Sequence, residues 1–460
     1  MKEYDVVVIG SGAGLQIVEN AMSHGFSTAL IDSGPIGGTC LNVGCIPSKM
    51  LIYPADRIME IRDSRKLGIA ADITGIDFAA IMKRMAQTVS SGEAHVRQGI
   101  LHTAGLDFYE GPGFFTGDRI LEINGARIKG KKIFIASGAR PEVPPISGID
   151  GIDFLTNESL LQLKSRPRSL IIIGGGYIAA EYAHFFSAMG TEVTILQRNK
   201  SIVPDEEPEI SELLKKELAT RMNVFTNTEV VSIRKSGKDC EITAREEANG
   251  RERKFSGEKV LVATGRTSNA DLLKVENAGI ETDGRNFIRV DEYFETSRKD
   301  IWAFGDALGK KMFRHAANRE ALIVGRNAFH NGKETLDYLT VPHAVFSYPE
   351  IASVGLTEDD ARQRYNIHDL LVGQADYSDV ARGEAMREER GFCKAIVKKN
   401  DGKILGFHII GPYASMLIQE VVVAMANDLD MWALNKGMHI HPALPEVIMA
   451  TLGNLEEAAD

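Results

Sequence analysis

The chain has 460 residues, 44% of them hydrophobic and 25% charged, which is too long for one hydrophobic core and balanced like a globular protein of about three domains. A net charge of −10 excludes the basic surface that binding a phosphate backbone requires, so no nucleic-acid partner is expected. No apolar run reaches the length of a membrane span, and "MKEYDVVVIGSG" enters a strand pattern without an export leader, so a soluble cytoplasmic protein without a membrane partner is expected.

Residues 4–9, "YDVVVI", predict a strand ending in Gly10, Gly12 and Gly14, followed by a helical stretch and a second strand, "STALID", over 27–32. This β–glycine turn–α–β unit suits a dinucleotide, with the pyrophosphate on the helix N-terminus and Asp32 placed to bind a ribose hydroxyl. Strand ends follow at "KIFIASGARP" (132–141), and the proline-rich "RPEVPPISG" (140–148) predicts a hinge. The glycine unit then recurs as "LIIIGGGYIAAE" (170–181), a helix and "EVTILQR" (192–198). One such turn is a weak signal, whereas two complete units imply two dinucleotide sites. "KVLVATGRTSN" (259–269) and "DIWAFGDA" (300–307) predict further strands that turn at glycine. From about residue 340 strand-like segments alternate with helices such as "SMLIQEVVVAMANDL", the texture of an α+β domain without nucleotide chemistry. The expected fold class is α/β, with two Rossmann-like domains and a C-terminal α+β domain. The expected parts are residues 1–148, 149–270, 271–339 and 340–460.

Cys40 and Cys45 stand five apart in "GTCLNVGCIPSK", in a chain with four cysteines. Structural disulfides are rare in reducing compartments, and no Cys/His pair at ligand spacing lies nearby to complete a zinc site, so no metal is expected. Cys240 and Cys393, each beside strand residues, read as core side chains. In a regular helix, positions i and i+5 lie ~8–9 Å apart, beyond the ~7 Å that a disulfide spans. A bridged "CLNVGC" therefore predicts a broken helix, tightened at Asn42 and Gly44. Such a bridge is readily reduced and suits a catalytic dithiol.

"GGTCLNVGCIPSK" resembles the active-site segment of the FAD-dependent pyridine nucleotide–disulfide oxidoreductases, a family that includes dihydrolipoamide dehydrogenase, glutathione reductase, mercuric reductase and mycothione reductase. The resemblance covers nearly the whole chain in the same order, through "ASGARP", "VATGR", "FGDA" and "HPALPE". It implies an FAD-binding part (1–148), an NAD(P)-binding part (149–270), a central part completing the FAD site (271–339) and an interface domain (340–460) of a homodimer. Gly10, Gly12, Gly14, Asp32, Gly38, Thr39, Gly138 and Asp306 would hold FAD. Gly174, Gly176, Tyr177, Ala179, Gln197, Arg198 and Gly265 would take the nicotinamide nucleotide, with Tyr177 matching an aromatic gate. Cys45 would lie nearest the flavin and form a thiolate charge-transfer contact, while Cys40 exchanges with the substrate. Lys49 would pair with Glu181 near the flavin, and His441, oriented by Glu446, would be the acid/base from the partner subunit.

Two departures matter. The first turn, "GSGAGL", puts Leu15 where a small residue is usual, which predicts a splayed first helix or local repacking. The second strand pair ends in Gln197, not in an acidic residue, and Arg198 and Lys200 follow, which leans toward NADPH over NADH. "TLGNLEEAAD" lacks the terminal cysteine pair of mercuric reductase. A dihydrolipoamide dehydrogenase-like enzyme acting on a lipoyl group is the first expectation. "DYSDVARGEAM", "HAANREA" and "HPALPEV" support the alternative, an NADPH-dependent reductase of a small-molecule disulfide such as mycothione or glutathione disulfide. A flavoprotein subunit of a multienzyme complex, or a redox sensor, is the alternative of another class.

Overall fold

A computed structural model describes residues 1–330 and 332–458. The chain forms two compact units, one of Met1–Met50, Met82–Val143 and Gly265–Leu336, the other of Leu51–Ile81, Pro144–Thr264 and Asp337–Asp460. The fold is mixed α/β with Rossmann-like parallel sheets and a C-terminal α+β domain, as the element pattern predicts.

In the first unit the strand Lys2–Ile9 lies between Thr28–Asp32 and Ala126–Ile135, parallel to both, and Leu106–Glu110 adds a further parallel strand. Val6, Val7 and Val8 are fully buried, which is why this strand reads as a continuous apolar run and not as an alternation. The helix Gly14–Ser23 buries Gly14, Ile17, Val18 and Ala21, one face at helical spacing. Antiparallel strands Gly113–Gly117 and Ile120–Ile123 extend the sheet, and Ile301–Ala303 pairs with Ala126–Ile135. The two glycine-ended segments noted in the sequence meet each other: Ala139–Pro141 pairs antiparallel with Arg266–Ser268.

The second unit repeats the parallel theme, with Ser169–Ile173 between Glu192–Leu196 and Lys259–Val262. Three antiparallel strands between residues 228 and 257, not anticipated from the sequence, form a separate sheet. The C-terminal part is a six-stranded antiparallel sheet covered by the helices Ala414–Ala426 and Glu446–Gly453, around a core that includes Tyr377, Phe407, Val421 and Val447. Among the described residues no helix is long and apolar enough to cross a membrane.

Candidate active site

The first glycine turn owes its shape to close backbone approach. Gly10 has φ +104°, and a side chain there would overlap the Ala136 carbonyl oxygen. Its N–H donates to Ile31 O at 2.8 Å, and Ala136 N–H donates to Ile9 O, also at 2.8 Å, which seats the turn on the strand ends. A Cβ on Gly38 would come 2.8 Å from Gly12 Cα, so the turn and the cysteine segment lie against each other through two glycines. Asp32 closes the arrangement: one carboxylate oxygen accepts the Ser11 N–H at 2.5 Å and the other accepts the Gly34 N–H at 2.7 Å. At Leu15, where a splayed helix or a local repacking is expected, the contact with the strand is made one residue earlier. Gly14 takes the close contact instead, where a Cβ would lie 2.9 Å from Val8 Cγ1, while Leu15 is only half-buried.

The cysteine segment breaks where the disulfide geometry requires. A short helix covers Gly38–Asn42, and a new helix starts at Cys45 and runs to Asp63. Gly44 between them sits so close that a Cβ would be 2.9 Å from Thr39 O and 3.2 Å from Cys40 Cα. Asn42 contributes through its side chain: its buried amide donates to Ile36 O at 2.9 Å and Gly38 O at 3.0 Å. Cys40 and Cys45 are free thiols joined by a hydrogen bond. That bond, with the Arg314 guanidinium and Lys49 ammonium assisting, pulls Cys40 down to about 7, while the remaining proton is held well above the ordinary thiol range on Cys45. The pair thus offers one thiolate near neutral pH, the most effective condition for an attacking thiol. Arg314, 274 residues from Cys40, carries no signal in the sequence.

Asp306 stands in the turn Gly305–Leu308, with Arg266 Nε at 3.8 Å. Burial raises its carboxyl above the usual range, against the pull of Arg266 and Arg314. Arg266 Nε and Ser137 Oγ are buried with no hydrogen-bond partner among the described residues. Unpaired buried donors next to a carboxylate and a glycine cradle fit an oxygen-rich ligand such as FAD. Gly138 and Gly265 immediately precede the paired strands Ala139–Pro141 and Arg266–Ser268.

The second glycine turn copies the first. Gly174 has φ +113°, a side chain there would overlap the Ala263 carbonyl oxygen, and its N–H donates to Leu196 O at 2.9 Å. Gly176 precedes the helix Tyr177–Ala188, which starts with half-buried Tyr177 and fully buries Ala179. Gln197, buried, donates from Nε2 to Ser201 O at 3.1 Å and packs where a Cβ on Gly175 would meet it at 2.9 Å. Arg198, Asn199 and Lys200 are exposed. Glu181, on the same helix and buried, accepts the Phe346 N–H at 3.1 Å. Lys49 belongs to the first unit, where its ammonium lies 3.4 Å from Ser48 Oγ.

At the C-terminal end, His441 Nδ1 meets Glu446 Oε1 at 2.8 Å, and Glu446 Oε2 accepts the Ala443 N–H at 2.9 Å. These bonds hold the Glu446 carboxyl below the usual range. The His441 side chain is 72% exposed, so its other nitrogen faces outward.

Residues 4–321 match the family described as pyridine nucleotide-disulphide oxidoreductase, and residues 341–452 match its dimerisation domain. The chain is 35% identical to mycothione reductase from Mycobacterium tuberculosis, over 97% of this chain and 98% of that protein. It is 32% identical to dihydrolipoyl dehydrogenase from Bacillus subtilis, over 97% of this chain and 96% of that protein. Among solved structures it is similar to the HOCl-induced flavoprotein disulfide reductase RclA from Escherichia coli, with a TM-score of 0.86 and 28% identity over 98% of this chain and 99% of that one. Two glycine turns, a close dithiol and a His–Glu pair thus occur in a chain that belongs to the pyridine nucleotide-disulphide oxidoreductase family, the FAD-dependent enzymes that exchange electrons between pyridine nucleotides and disulfides.

Proposed function

We propose that this enzyme draws electrons from NADPH and reduces a small-molecule disulfide. The observation that carries the nucleotide choice is Gln197. An acidic side chain in its place would accept from a ribose 2′-hydroxyl, but Gln197 is neutral, buried and occupied with Ser201 O. Arg198 and Lys200 stand exposed beside it, cations available to a 2′-phosphate. NADPH as donor favours the reductive direction, toward a mycothione- or glutathione-like disulfide and away from dihydrolipoamide oxidation.

Bound FAD supplies a two-electron relay between a hydride donor and a disulfide. Gly10, Gly12, Gly14, Asp32, Gly38, Thr39, Gly138 and Asp306 would hold it, with Arg266 and Ser137 offering unpaired donors. Gly174, Gly176, Tyr177, Ala179, Arg198 and Gly265 would receive the nucleotide, and Lys49 and Glu181 would supply charge for the flavin chemistry. Two electrons and one proton, the equivalents of one hydride, open the Cys40–Cys45 bridge into a thiolate and a thiol. The Cys40 thiolate attacks the substrate disulfide, forming a mixed disulfide and releasing one thiolate, which takes a proton from His441. Cys45 then passes its proton to His441 and attacks the Cys40 sulfur, restoring the bridge and releasing the second thiolate, which takes that proton. Glu446 holds His441 in the tautomer that leaves the outward nitrogen for proton transfer.

His441 acts on a partner subunit in this scheme, and the apolar surface around it supports a homodimer: Met438 is 99% exposed and Ile440 is 78% exposed, with Met416 and Val423 exposed one face along the neighbouring helix. The parts 1–148, 149–270, 271–339 and 340–460 take the FAD, nucleotide, central and interface roles. Steady-state assays with NADPH and NADH against mycothione disulfide, glutathione disulfide and lipoamide test the reading. The expected result is a kcat/KM at least ~10-fold higher with NADPH and turnover of a soluble disulfide. Turnover confined to NAD+ and dihydrolipoamide overturns it in favour of a dihydrolipoamide dehydrogenase, and a yellow protein without disulfide turnover points to a sensor or scaffold.

A further inference from the structure

A second histidine–carboxylate pair lies two residues before His441. Glu420 is the single charged residue of the helix Ala414–Ala426, "ASMLIQEVVVAMA", where a carboxylate costs desolvation without a packing return. Its Oε2 lies 3.0 Å from His439 Nε2, and its Oε1 is buried with no partner among the described residues. His439 Nδ1 lies 3.2 Å from Gly437 O, so each ring nitrogen faces an acceptor. The backbone amides of residues 438–441 donate to no described residue, and the segment is neither helix nor strand. Side chains therefore fix this segment: Glu420 through His439 at one point and Glu446 through His441 at the next. Met438 and Ile440 alternate with the two histidines and face outward.

We infer that Glu420 and His439 are positioning residues that set where the 438–441 segment lies, and hence where the outward nitrogen of His441 points. The inference rests on the reading of His441 as the acid/base. A proton donor displaced by about 1 Å loses up to ~100-fold in rate, so an anchor two residues away has leverage on the thiol exchange and none on nucleotide oxidation.

The experiment compares the FAD-loaded wild type with Glu420→Ala, Glu420→Gln and the double variant Glu420→Leu/His439→Leu, which removes both polar partners together and leaves no unpaired charge. Stopped-flow flavin reduction by the nicotinamide nucleotide is measured beside steady-state disulfide reduction. Expected is a ~10-fold fall in kcat for disulfide reduction in Glu420→Ala and in the double variant, with KM within about twofold and flavin reduction unchanged. Glu420→Gln, whose amide oxygen still accepts from His439, recovers to within about threefold. A double variant with wild-type kcat overturns the inference, as does a loss that appears equally in flavin reduction. His441→Gln separates the two readings. If it loses turnover while the double variant keeps it, only the positioning role falls. If His441→Gln turns over like wild type, the acid/base reading falls and this inference with it.

Discussion

The two glycine turns share one backbone device and end in opposite chemistry. Gly10 and Gly174 both adopt positive φ, both press against the carbonyl of an alanine on a neighbouring strand end, and both donate to the last carbonyls of the next strand. At the tip of that next strand the first turn presents Asp32, a carboxylate tied down by two backbone N–H groups. The second presents Gln197, turned inward onto Ser201 O, and leaves Arg198 and Lys200 exposed. The backbone makes the same glycine turn in both places, and in the proposed reading the side chain at the strand tip chooses the nucleotide. The third motif position also differs: Ala179 is fully buried in the second turn, whereas the first moves the close contact from Leu15 to Gly14.

The comparison is broken most severely at its common element. Gly10→Ala and Gly174→Ala each place a methyl group on a backbone carbonyl at positive φ, at a cost of ~3 kcal/mol or more. Gly10→Ala is expected to yield protein without the visible absorbance of FAD. Gly174→Ala is expected to stay yellow and fail to oxidise NADPH, and a yellow Gly10→Ala protein with normal turnover would remove the assignment of the first turn.

Gln197→Glu tests the difference between the turns. It returns an acceptor for a 2′-hydroxyl and repels a 2′-phosphate, so the NADPH-to-NADH ratio of kcat/KM should fall ~10–100-fold. An unchanged ratio shows that the strand tip does not choose the nucleotide.

Gly38, two residues before Cys40, packs on Gly12 of the first turn, so the thiol chemistry should report on residues of the first unit. Alkylation of the reduced enzyme by iodoacetamide should rise with pH around a midpoint of about 7, since the hydrogen bond from Cys45 stabilises the Cys40 thiolate. Below that midpoint Cys40 is protonated and slow, and above it the rate levels off. Cys45→Ala removes the donor and should move the midpoint upward toward an ordinary thiol, and Arg314→Met should do so by less. A midpoint that stays put in both variants contradicts the proposed cause.

The smallest effect belongs to Leu15. Leu15→Ala should change unfolding free energy by less than ~1 kcal/mol, whereas Gly14→Ala, which meets Val8 at 2.9 Å, should cost ~1–3 kcal/mol. Urea unfolding of the FAD-loaded proteins measures both. A larger loss at Leu15 would restore the usual position as the packing contact.

Residues close along the chain were legible before any coordinates. The glycine spacings, the Cys40–Cys45 interval and the break at Gly44 all act within a few residues, where backbone geometry ties spacing directly to shape, whereas the His441–Glu446 pair is implied by the family resemblance. At Asn42 the tightening runs through the side chain, whose amide donates to Ile36 O and Gly38 O. What depended on folding was every interaction made across long stretches of chain. Arg314 reaches the Cys40 environment, Arg266 reaches Asp306, and Glu420 grips His439. Periodicity and motif spacing specify which face a residue occupies, but the charge it will meet there is set by the order in which strands and helices pack.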